Sequence, residues 1–191
     1  MLAYVFWHWP DAQTDHEHYQ NALISFHRTL AAHRPAGLHF SRCLLLDQAP
    51  WLERDSATYE DWSLVENSAA LDPLNEGAVT GACQEPHRQV ARWTVGSGAG
   101  LYQLRAGDAS LATISQEYRF NKPEGMSYAA LYESLQPLIT QHGAGLWTRQ
   151  MNLGPGPEFC LLAPAAFALP ASFEQLEIAV RLLWSGSERE G

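Results

Sequence analysis

Glu117 and Arg119 stand two residues apart in "QEYRF", a run that alternates as a strand does, so both side chains share one face. An arginine on a cleft wall can grip a carboxylate ligand, and a glutamate beside it can act as a base. The plainer alternative is an ion pair that closes on itself. His8 sits between two tryptophans in "AYVFWHWP" and is a candidate acid–base group or ligand contact; otherwise it is a hydrogen-bonded histidine at a strand end. Tyr4 has the same parity in that run. Trp62, in "TYEDWSLVEN", shares a face with Glu60 and Leu64 and belongs either to a cleft wall or to the core. Tyr4, His8, Trp62, Glu117 and Arg119 are therefore the candidate ligand-binding residues. No catalytic set stands out.

Other chemistries find little support. Cys43, Cys83 and Cys160 are far apart with no C-x-x-C pair, which argues against a zinc site or a disulfide framework and suits a reducing cytoplasm. His16 and His18 open a helix and point different ways, so no metal site is expected. Lys122 is the single lysine and stands beside a proline, which leaves lysine nucleophiles one poor candidate. "GSGAG" at 96–100 matches neither a nucleophile elbow nor a dinucleotide loop, and a flexible turn is expected there. The net charge of −9 disfavours a nucleic-acid partner. No signal-peptide pattern and no apolar run of membrane-spanning length occurs, so a cytoplasmic protein without a membrane partner is expected.

The elements that must position these residues are of mixed type. Residues 3–10 read as a strand that is heavy on both faces. Tyr19, Leu23, Phe26 and Leu30 then mark one face of a helix, with Asp15 as its N-cap. Strands are expected over 37–47 and 58–67. A helical stretch over 68–83 is broken by Pro73 and Gly77, a short helical turn follows at 87–94, and 101–107 closes as a strand. The order then recurs, with a strand at 111–123, a helix over 127–143 carrying Pro137, and strands at 144–153 and 158–164. A turn at 154–157 separates those two strands. A short helical stretch at 165–176, a last strand at 177–184 and a polar tail complete the chain.

His33 falls on His142 when the halves are superposed, and Ala36-Gly37-Leu38 falls on Ala144-Gly145-Leu146. Pro10 falls on Pro123. Two β-α-β-β-α-β units of ferredoxin-like type are expected, at 1–108 and 109–191, in an α+β protein. The aromatic load and the sheet edges such units leave suggest a homo-oligomer.

The second half also resembles a family. Lys122-Pro123-Glu124-Gly125 after a strand, Leu135-Gln136-Pro137-Leu138 within a helix and His142-Gly143 after it are similar to the dimeric α/β barrel superfamily, in its NIPSNAP-type branch. That resemblance implies antiparallel sheets packed face to face with helices outside, here as a barrel within one chain. Trp7 and Val5 would then face the helices. Tyr4, Phe6 and His8 would face the interior together with Glu117 and Arg119, the Pro10–Pro123 match setting the phase. The implied function is binding of a small organic ligand, with cofactor-free oxygenase or isomerase activity. Alternatives are a non-catalytic binding or assembly protein and a haem-binding protein, although no cofactor is expected.

Overall fold

The computed structural model describes residues 1–54, 57–152 and 156–186. The turn expected at 154–157 and the polar tail lie partly outside these residues. Eight strands close into one antiparallel barrel: β1 (Leu2–Pro10), β2 (Leu38–Leu46), β3 (Thr58–Val65), β4 (Thr94–Gly107), β5 (Gln116–Phe120), β6 (Gly145–Asn152), β7 (Phe159–Ala163) and β8 (Gln175–Ser185). Around the barrel the order is β1-β3-β2-β8-β5-β7-β6-β4, so the first and last named strands also pair. Each half thus runs fourth, first, third, second strand. The two long fourth strands form the seams: β4 pairs with β1 and β6, and β8 with β5 and β2. Closure leaves no free sheet edge, which removes one reason for expecting an oligomer.

Among the described residues four α-helices lie outside the barrel: α1 (His16–His33), α2 (Leu71–Val79), α3 (Gln84–Ala91) and α4 (Tyr128–His142). The Asp15 side chain caps α1 by accepting from the Glu17 amide at 3.0 Å. Ser127 does the same for α4 through the Ala130 amide, and Gly143 ends that helix in the left-handed conformation. Pro137 lies within α4. Residues 165–174, expected to be part of a helical stretch, form none; Phe167, Leu169 and Phe173 pack there against the apolar face of α4 and β5–β7.

Residues 96–100 are strand rather than turn. They run along β1 with Gly96 opposite Trp9, Gly98 opposite Trp7 and Gly100 opposite Val5. The small residues make room for the large ones: a Cβ at Gly96 would lie 2.3 Å from the Trp9 ring. Gly107, with φ at +83°, ends β4 where a Cβ would sit 1.9 Å from the Ala144 carbonyl oxygen.

The phase expected for β1 is reversed. Ala3, Val5 and Trp7 point into the barrel, where they join a core that also draws Phe40, Trp62 and Trp147. Tyr4, Phe6 and His8 point outward beneath the helices, on the wall of a cavity. The proline match caused the error. Pro10 is the last residue of β1, whereas Pro123 stands beyond Phe120, the end of β5. The prolines are 113 residues apart and the strand ends 110, and that odd difference swaps the faces. Among the described residues, no helix is long and apolar enough to cross a membrane.

Candidate functional site

The five candidate residues separate into two groups on opposite sides of the barrel wall. Trp62, Glu117 and Arg119 are inside, fully buried. Tyr4 and His8 are outside. They do not share one cavity.

The inner group is a closed polar cluster. The Arg119 guanidinium donates from Nε to Glu117 Oε1, from Nη1 to the Tyr102 hydroxyl at 2.8 Å, and from Nη2 to Glu60 Oε2 at 2.7 Å. The indole N–H groups of Trp7 and Trp62 donate to Oε2 and Oε1 of Glu60. The rings of Trp7, Trp51 and Tyr102 stand 4.8–5.3 Å from the guanidinium carbon. Burial, then the neighbouring Glu60, push the Glu117 carboxyl up to about 8 against the pull of Arg119. At neutral pH the Glu117 carboxyl is therefore held protonated beside Arg119. That arrangement suits an interior cut off from water, where an unpaired charge is very costly.

The outer group opens onto a cavity of about 560 Å³ between the β1/β3 wall and helices α1, α2 and α3. Leu23, Phe26, Leu30, Leu74 and Val90 supply its apolar lining, and Asp72, Asn75 and Val79 stand at its exposed rim. On the sheet side it ends on a polar cluster. Asp61 Oδ2 accepts from His8 Nε2 at 3.2 Å, and Oδ1 lies 3.0 Å from His27 Nε2. Since Asp61 accepts, His8 carries its hydrogen on Nε2, and its Nδ1 accepts from the Tyr19 hydroxyl at 2.6 Å. Tyr19 in turn lies 2.9 Å from Thr94 Oγ1, which lines the cavity and is also 3.2 Å from the Val90 carbonyl. His27 Nδ1 meets Ser41 Oγ at 2.9 Å.

Electrostatics separate the members of this cluster. Burial raises the Asp61 carboxyl, but the two imidazoles outweigh it and hold it well below the usual carboxylate range. Burial pushes the Tyr19 hydroxyl up, so it remains a neutral donor at physiological pH. Burial and then Asp61 push the Cys43 thiol well above its ordinary value.

Several of these residues were not singled out from the sequence, yet signals for three existed. "YEDW" puts Glu60 and Asp61 side by side, so in any strand one must turn to each face. His27 lies four residues after Leu23, on the buried stripe of α1. Tyr19, Tyr102 and Cys43 carried no comparable mark as site residues, because aromatic or cysteine positions in apolar runs are ordinary core.

No family model matches this chain, and no curated protein matches it. Among solved structures it is similar over 99% of its length to an anthrone oxidase-like protein, covering 94% of that chain with a TM-score of 0.58 at 10% identity. A second, described as "putative monooxygenase from Lactobacillus acidophilus NCFM", matches over 98% of this chain and 96% of that one, with a TM-score of 0.57 at 8% identity. At these identities the likeness is one of fold: an α+β protein with a closed antiparallel barrel.

Proposed function

We propose that this protein binds a small, largely apolar organic molecule in the cavity beneath α1–α3 and carries out oxygenase-type chemistry on it. The observation that carries this reading is the meeting, in one cavity, of apolar walls with the Thr94–Tyr19–His8–Asp61 chain. A volume near 560 Å³ lies within the usual range for small-molecule sites, roughly 300–1,000 Å³. A substrate with an activated C–H lying against Thr94 gives up its proton through the Thr94 and Tyr19 hydroxyls to Nδ1 of His8. Asp61 then holds the imidazolium. The carbanion left behind passes electrons to O₂. In the net reaction a methylene becomes a carbonyl, one oxygen atom is kept, and the other leaves as water. The fold shared with an anthrone oxidase-like protein and a monooxygenase-type protein supports this class of chemistry and makes anthrone the first probe.

The shared strand order of the two halves supports residues 1–108 and 109–191 as copies of one ferredoxin-like unit. The narrower NIPSNAP-type likeness rests on the sequence motifs alone. Oxygen uptake on adding anthrone to the purified protein, measured against a protein-free control, tests the function. Faster uptake that is lost when Tyr19→Phe and Asp61→Asn are combined supports it. Tight binding of anthrone without oxygen uptake points instead to a non-catalytic binding protein.

A further inference from the structure

At the cavity wall a ring nitrogen of His27, Sγ of Cys43 and a carboxylate oxygen of Asp61 converge, all within 4.8 Å of one another. They come from three elements. Cys43 and Asp61 are direct cross-strand partners of β2 and β3 on the outward face, and His27 descends on them from α1. Nε2 of His27 and Oδ1 of Asp61 stand 3.0 Å apart as a buried pair. His27 and Cys43 are 1% and 0% exposed. An imidazole, a carboxylate and a thiol gathered this closely in a largely buried place are the side-chain types that hold a transition metal ion.

We propose that His27, Cys43 and Asp61 bind a divalent transition metal ion of the zinc class. One imidazole, one thiolate and one carboxylate are a borderline-soft set suited to zinc and poorly suited to magnesium or calcium. Bonds of about 2.0–2.3 Å place ligand atoms roughly 3.5 Å apart in a tetrahedron, so small side-chain shifts close this trio on one ion. Binding displaces the thiol proton. The dication then balances one thiolate and one carboxylate, and the site is neutral. His27 and Asp61 border the cavity, which leaves the fourth position for water or a ligand atom. Asp61 bridges the ion through Oδ1 and His8 through Oδ2, so the ion positions the histidine of the proton chain without touching the relay hydroxyls. The site stands on its own geometry and does not depend on the oxygenase reading.

Tag-free protein, stripped with a chelator, is titrated with Co²⁺ and, separately, with Zn²⁺. One Co²⁺ per chain with a thiolate charge-transfer band is expected, along with a rise in melting temperature on adding Zn²⁺. Cys43→Ala removes the band, His27→Gln weakens binding at least tenfold, and Cys83→Ala leaves both intact. X-ray absorption of zinc-loaded wild type counts one sulfur ligand, a readout that holds even if a variant fails to fold. No stoichiometric binding, a band that survives Cys43→Ala, or a zinc shell without sulfur overturns the proposal. Metal binding without oxygen uptake separates this inference from the oxygenase reading, and the reverse result does the same.

Discussion

Glu60 and Asp61 follow one another in β3, and the pleat turns one into the barrel and the other out under α1. Inside, Glu60 is fully buried and all its partners are fixed: two indoles and a guanidinium occupy its oxygens. Outside, the Asp61 side chain keeps 13% of its exposure and lies on a cavity wall. One oxygen holds His8 in place, and the second lies 3.0 Å from His27 Nε2. Both carboxylates are paired with cations or potential cations. Only the outer one has a space beside it that another molecule can enter. A carboxylate whose partners are all sealed in the core specifies the fold, whereas one whose partners line a cavity can work on a ligand.

Breaking the inner cluster has the largest expected effect. Arg119→Ala strips Glu60 and Glu117 of their shared buried partner and should cost about 3–5 kcal/mol of stability, read by chemical denaturation. Adding Glu60→Gln should recover part of that loss. A melting curve unchanged from wild type would show that the cluster is not sealed.

The outer site should answer the other way, in activity more than in stability. Asp61→Asn keeps the size of the side chain but cannot stabilise an imidazolium. Turnover of anthrone should fall about a hundredfold, a rise of about 2.7 kcal/mol in the barrier. The stability loss should stay below about 2 kcal/mol. Equal stability losses at positions 61 and 119 would erase the contrast between the two clusters.

The pH dependence of stability tests the inner cluster without removing a side chain. Glu117 titrates near 8 in the folded protein against an ordinary 4.5, so the native state binds the extra proton. This contribution is fully present below about pH 4.5, declines as pH rises through the window, and is lost above about 8. The slope is at most about 1.4 kcal/mol per pH unit. Denaturation midpoints of wild type between pH 5 and 9 should fall with pH relative to those of Glu117→Gln. Parallel curves would place the proton elsewhere.

The smallest effect is expected at Tyr19→Phe. It removes one hydroxyl from the proton chain, slowing turnover about tenfold at a stability cost of about 1 kcal/mol. Wild-type turnover in this variant would take the relay through Thr94 and Tyr19 out of the mechanism.

Local patterns in the chain carried much of the architecture. The α1 stripe of Tyr19, Leu23 and Leu30, the Asp15 cap, the alternation around Glu117 and Arg119, and the α+β order of elements are short-range features, set by periods of 3.6 and 2 and by side-chain capping chemistry. The same patterns gave no help where both faces of a strand are covered. In β1 the tryptophans and the tyrosine–phenylalanine–histidine set are equally bulky, so alternation says which residues travel together but not which set goes inside. "GSGAG" reads as a turn until Trp7 and Trp9 are laid opposite it.

The candidate site divides along the same line. That Glu117 and Arg119 face one way, and that Glu60 and Asp61 face opposite ways, follows from strand geometry alone. That Arg119 meets Glu60 across 59 residues of chain, and that His8, His27, Cys43 and Asp61 converge from four elements, was decided by closure of the barrel and the docking of α1 on it. Hydrogen bonds and ion pairs act over a few ångströms, and residues so far apart in sequence come within that range only once the tertiary fold has brought their elements together.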